Sequence, residues 1–373
     1  MAAPHELQRT AAVYGWRPSR PTVTPVTAEG LHPDPAPGPP SPAACGPGAL
    51  SAGGPGPGRV HLHLGVHKTG TTWLQRAVFP AFDELTVLDL RTPMAGEWLR
   101  QLVEEDRFDP TPLAAWLDQA RADGRAVLVS HEGLSGWLWA GHDLDRNLDR
   151  LVALVPDAAC LLVVRNQADQ LRALHGQYVS DGGTLSLARF AAGDRFPGTS
   201  LRFHARRLAY DHVADAIADR FGESSLWLEP YERVLTDRDA FIVRLATWIG
   251  VVAPPPDVRA ALVVKRHNVS LAPGVRRLLR VWNWVGTDSY IHQGALLPAV
   301  GLGRVGRSVA ARIRHLGDRS LPGDDRRTLH DATVAGHVAT GYAPSNDRLQ
   351  DHVDTDLRPL GYATATTPTV LGK

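Results

Sequence analysis

Lys68 stands three residues after Gly65 and two before Gly70, in the stretch VHLHLGVHKTGTTWLQ (residues 60–75). Glycines so spaced let backbone N–H groups turn toward one point, and a helix beginning near Thr71 adds free N–H groups at its positive end. That is an anion cradle with one ammonium beside it. Only three lysines occur among 40 basic residues: Lys68, Lys265 and the terminal Lys373. The bland source is a coding preference for Arg. Against it, a lysine marks a place where a compact ammonium does what a planar fork cannot. Three more groups stand at the ends of apolar runs: Arg165 after CLLVV, and the neighbours His131 and Glu132 after AVLVS.

A nucleotide-phosphate loop reads G-x-x-x-x-G-K-[ST], with the Lys on the β/γ-phosphates and the Ser/Thr on Mg²⁺. Gly65, Gly70, Thr71 and Thr72 keep that frame, but Thr71 stands where the Lys belongs. The cradle survives, because it depends on the glycines and the helix start; metal-assisted triphosphate chemistry is less well served. A lysine on the near side of the loop suits a ligand whose reacting group lies along an adenosine 5′-phosphate. A P-loop kinase using Mg-ATP is the alternative from the same fold. A nucleotide-binding module without catalysis is the alternative from another class.

HKTGTTWLQ resembles the 5′-phosphosulfate loop of sulfotransferases that use 3′-phosphoadenosine 5′-phosphosulfate (PAPS), P-K-x-G-T-[ST]-W/S-L, with His67 in place of the Pro. A second block, LLVVRNQADQLRALHGQYVSDG (161–182), resembles that family's 3′-phosphate segment. The third, AVLVSHEGLSGW (126–137), resembles the strand that ends S-S-E-G in bacterial members. The resemblance implies a PAPS-dependent enzyme of bacterial or carbohydrate type. His67, Lys68, Thr69, Gly70, Thr71, Thr72 and Trp73 would line the 5′ side, and Arg165 would hold the 3′-phosphate. Glu132 or His131 would be the base, Glu132 being preferred as the closer match. Strand alternation sends these two to opposite faces, so one reaches the acceptor. The family has Ser eight residues after its Arg; here that position is Ala173, one hydrogen bond fewer. Lys265 and Arg266, in KRHNVSL, would play the part of a late loop that closes over the nucleotide. The implied reaction is metal-independent in-line transfer to a hydroxyl or amine of a small-molecule or glycan acceptor, whose identity the loops do not spell.

Short unbroken apolar runs at 126–130 and 160–164 are strands covered on both faces. VHLHLGV and SLWLEPY are further strands. Helical patterns lie between and after them: TTWLQRAVF, PLAAWLDQARADG with Leu113, Trp116, Leu117 and Ala120 on one face, DLDRNLDRLVALV and DAFIVRLATWIG. Alternation of this kind predicts an α/β fold, a doubly wound, mainly parallel sheet with helices on both faces. The boundaries expected are a Pro/Gly/Ala-rich disordered leader (1–58, with 13 of the 29 prolines), a single domain (59–362) and a C-terminal tail (363–373).

Net charge is +1, so no global field argues for nucleic acid. No run of about 18 apolar residues predicts a membrane span. Two cysteines, Cys45 and Cys160, fit a reducing cytoplasm rather than a disulfide framework. His61 and His63 lack the partners of a zinc set and read as core or nucleotide-proximal; no metal is expected. Trp137 and Trp139 either wall the acceptor site or fill the core.

Overall fold

The computed structural model describes residues 58–264, 273–286, 289–293 and 327–365. Residues 1–57 of the expected leader, the tail beyond 365, and Lys265 and Arg266 lie outside the described residues. Five strands form one wholly parallel sheet: β1 (Val60–His63), β2 (Leu85–Leu88), β3 (Ala126–Ser130), β4 (Ala159–Val164) and β5 (Leu226–Pro230), in the order β2-β3-β1-β4-β5. Alternate residues point to opposite faces. Val60, Leu62, Val127, Val129, Cys160, Leu162 and Val164 enter one core, while Leu128, Leu161 and Val163 enter the other. Both faces are therefore apolar, which is why these strands read as unbroken apolar runs.

The first core is closed by α2 (Ala95–Glu104), α3 (Thr111–Ala122), α4 (Leu144–Leu154), α5 (Gln167–Ser180) and α7 (Tyr210–Phe221), with α6 (Leu187–Ala191) beside them. The second lies under α1 (Thr71–Trp73), α8 (Tyr231–Thr236), α9 (Arg238–Ile249) and α10 (Pro256–Val264). The expected doubly wound α/β fold is the observed one. The helix predicted in TTWLQRAVF is irregular: after α1 it widens through Leu74–Val78 and tightens at Phe79–Ala81. Pro80, which has no N–H to give, sits in that last turn. In α3, Leu113, Leu117 and Ala120 are buried and Trp116 half-buried, and Gly124 leaves the helix at φ +71°.

β2 and α2 were not in the pattern read above. β2 has four residues, and its middle pair is half-exposed, too short and too mixed to signal a covered strand. The chain leaves β1 toward β2 on one side and returns to β4 on the other, so the loops beyond the carboxyl ends of β1, β3 and β4 diverge around a crevice. Lys68, Glu132 and Arg165 sit on those three loops. Among the described residues no helix is long and apolar enough to cross a membrane, and no group of three or more His, Cys, Asp or Glu gathers as a metal set. His61 meets the edge of Trp248 (ring centroids 4.7 Å apart), and His63 bonds Ser130 Oγ at 2.8 Å, the packed reading of both.

Candidate active site

Two left-handed residues shape the loop after β1. Lys68 has φ +71° and Gly70 φ +86°. At Gly70 the glycine is required twice over, since a Cβ would also strike the Tyr231 ring at 2.9 Å. The carbonyls of the loop are drawn outward by side chains. Thr69 Oγ1 donates to Val66 O (2.5 Å), Gln170 Nε2 to His67 O (2.5 Å), Ser135 Oγ to Gly65 O (3.3 Å) and Arg165 Nη1 to Lys68 O (3.4 Å). The amides are left over: among the described residues the N–H groups of Lys68, Thr69, Gly70 and Thr71 meet no protein acceptor. Thr71 Oγ1 is buried without a partner as well. Successive unpaired donors in alternating αL geometry form a nest for an anion.

The ammonium of Lys68 donates to Gln177 Oε1 at 2.5 Å, and Gln177 Nε2 to Asp181 Oδ1 at 2.7 Å. Burial lowers the Lys68 pKa from its ordinary value, while Glu132 and Asp181 pull it back up. The opposite pair of influences acts on Glu132: burial pushes its carboxyl up and Lys68 holds part of that back. Burial thus disfavours the charged form of each, and the opposite charge nearby resists that. Among the described residues the Glu132 carboxylate has no hydrogen-bond partner.

His131 is differently placed. Its Nδ1 accepts the Gly133 N–H at 2.8 Å, capping the tight turn Glu132–Ser135, so its proton resides on Nε2. Burial drives its pKa down to about 4, and it is a neutral cap rather than an open base. His67, hemmed by Arg207, His131 and Lys68, is pushed well below its ordinary value by burial, and its Nδ1 has no partner among the described residues.

Arg165, just past β4, lies over the Tyr231 ring at 5.4 Å, and among the described residues no carboxylate comes within ion-pair distance of it. Beneath it Glu232 takes the backbone N–H of Asn166 (3.0 Å) and the Tyr362 hydroxyl (3.1 Å), fixing the end of the strand. Trp73 is turned away from the crevice: its indole N–H donates to Leu262 O at 3.1 Å, and its backbone N–H is taken by Gly70 O at 2.9 Å. It positions the loop and has no donor to give a ligand. Thr72 is half-buried at the head of α1. Trp139 is fully buried against Tyr178, Phe190 and Phe196, so it fills the core, while Trp137 is partly exposed beside His142.

Gln170, Ala173 and Gln177 fall at i, i+3 and i+7 on α5, the stripe that faces the loop through its two glutamines. Arg172, next to Ala173, is paired with Asp169 at 2.9 Å. Gln177 was legible in principle from that helical spacing. Tyr231, Ser135 and Arg207 carried no signal, because each acts on backbone far away in sequence.

No family model matches the chain, and no curated protein matches it. Among solved structures it is similar to a sulfotransferase from Alicyclobacillus acidocaldarius (16% identity, TM-score 0.40, covering 70% of this chain and 97% of that one). It is also similar to mouse sulfotransferase SULT7A1 complexed with PAP (12% identity, TM-score 0.36, covering 79% and 89%). A third is the sulfotransferase domain from the curacin biosynthetic pathway (13% identity, TM-score 0.33, covering 71% and 99%). All three are sulfotransferases or sulfotransferase domains.

Proposed function

We propose that this protein is a PAPS-dependent sulfotransferase, moving a sulfuryl group to a hydroxyl or amine of a small-molecule or glycan acceptor. The observation that carries it is the row of N–H groups from Lys68 to Thr71, unpaired among the described residues, with the Lys68 ammonium and the Glu132 carboxylate close enough to act on each other's charge. That donor set fits a phosphate, and Arg165, which has no carboxylate partner among the described residues, fits a second one. When bound, PAPS supplies an activated sulfuryl group on a phosphate leaving group.

Everything else falls to the chain. The loop amides orient the 5′-phosphate, and Arg165, whose planar fork matches phosphate, holds the 3′-phosphate. Lys68 leaves Gln177 to neutralise the bridging oxygen as its bond to sulfur breaks. Glu132 takes the acceptor proton as the acceptor's oxygen or nitrogen bonds to sulfur in line, and burial of the carboxyl raises its basicity for that step. Positive charge at the leaving group comes from Lys68 and the loop, so the scheme has no step assigned to a metal.

A panel of acceptors incubated with radiolabelled PAPS tests the reading, together with calorimetry of adenosine 3′,5′-bisphosphate. Tight bisphosphate binding without Mg²⁺, weak ADP binding and label transfer are the expected results. Preference for Mg-ATP would replace this reading with a kinase. Bisphosphate binding without transfer to any acceptor would favour a module that kept the cradle alone.

A further inference from the structure

Arg207 belongs to the turn Ala205–Leu208 that precedes α7, and it is 4% exposed. Among the described residues no Asp or Glu pairs with it, an expensive condition for a buried cation. Its guanidinium instead gathers oxygens from two adjacent residues: Ser135 O at 2.6 Å, Ser135 Oγ at 2.9 Å and Gly136 O at 3.3 Å. One glycine clears its path, and a second lets the chain pack closely against the first. A Cβ on Gly141 (φ +68°) would fall 2.8 Å from Arg207 Cδ, and one on Gly136 (φ +91°) 2.7 Å from Gly141 O.

Ser135 ends the turn that Glu132 begins. With Arg207 donating to its oxygen, the Ser135 hydroxyl directs its own proton to Glu132 O (2.9 Å) and toward Gly65 O (3.3 Å), the first glycine of the anion loop. Asn147 Nδ2 holds Gly133 O at 3.0 Å on the same turn. One buried fork therefore ties the turn of the base to the loop of the lysine. Its charge also reaches the loop, since it is among the groups that keep His67 neutral.

We propose that Arg207 is a positioning residue that sets the placement of Glu132 relative to Lys68, acting through Ser135 and Gly65. This rests on the sulfotransferase reading. Lysine at 207 keeps a charge but cannot span the Ser135 and Gly136 oxygens in one plane. The carboxylate then drifts from Lys68, the cation that holds it down, while the other charged or titratable groups around that loop (His67, His131, Arg165 and Asp181) stay where they are.

The test is kcat, bisphosphate Kd and the pH profile of kcat for Arg207→Lys and Ser135→Ala. Arg207→Lys is expected to lower kcat by about 10–100-fold, move Kd by less than about threefold, and shift the acidic limb of the profile to higher pH. Ser135→Ala, which keeps the fold if Arg207→Lys does not, should shift the limb the same way by less. A brace with no role in placing the base would lower the melting temperature and leave the limb where it is, and that result overturns the proposal. Should the wild-type protein transfer nothing from PAPS, the sulfotransferase reading falls by itself. The Arg207 claim is then judged by carbon-13 NMR titration of the Glu132 carboxyl, and an identical titration in wild type and Arg207→Lys refutes it.

Discussion

Lys68 holds a backbone conformation that favours glycine, with φ +71°. For a side chain bearing a Cβ this costs about 1–2 kcal/mol. The loop thus keeps an ammonium at a position where the backbone alone would prefer none. Lys68→Gly should unfold at higher denaturant concentration than Lys68→Ala while both lose transfer, separating the strain of the residue from its chemistry. Lys68→Arg should fail nearly as badly, since a planar fork does not replace a compact ammonium beside Gln177. The two candidate bases separate in the same way. Glu132→Gln should lower kcat by at least about a hundredfold with bisphosphate affinity unchanged. His131→Ala removes a cap from the Glu132 turn and should cost much less in rate. A dead His131→Ala beside an active Glu132→Gln in steady-state assays would reverse the assignment.

At the scale of the element, what the sequence revealed and what it hid have physical causes. β3 and β4 were legible because a strand buried on both faces has no polar alternation to confuse it. The loop was legible because its spacing is a property of contiguous residues. β2 was not, being short and half-exposed, and neither was Arg207, whose partners are carbonyls some 70 residues away in sequence. Trp73 shows the limit of carrying a motif over residue by residue, for its place in the string is kept while its indole faces Leu262. Ala173 illustrates the converse, a departure whose setting the helix makes clear. It lies between Gln170 and Gln177 on the stripe facing the loop, and its neighbour Arg172 is engaged by Asp169. Ala173→Ser should therefore add a hydroxyl facing the anion and tighten bisphosphate binding by up to about tenfold in calorimetry. No gain would mean that this face of α5 does not meet the nucleotide.

For the molecule as a whole, the buried histidines set an acid limit. Burial lowers His61 to about 4, His63 to about 3 and His131 to about 4, each from 6.5. Between the folded and unfolded values the unfolded chain binds the extra protons, so stability rises with pH there and is lost as pH falls below about 6.5. Each such histidine removes about 2 kcal/mol between pH 7 and pH 5. Urea unfolding at the two pH values should show the loss, and replacing His61 by Phe, an aromatic that can still meet Trp248, should recover part of it. A stability that stays flat from pH 7 to 5 would mean these rings are protonated in the folded protein.

The all-parallel order β2-β3-β1-β4-β5 has a kinetic consequence. No two neighbouring strands are joined by a hairpin, and every pairing waits on a crossover, so contacts arrive late and over long loops. Lys68, Glu132, Arg165 and Arg207 come from four separate loops and meet only when β3, β1 and β4 are in register. A half-formed sheet has no anion site to offer. During refolding, recovery of bisphosphate binding should then coincide with the last phase of folding, and the ligand, binding only the finished chain, draws stragglers into it by mass action.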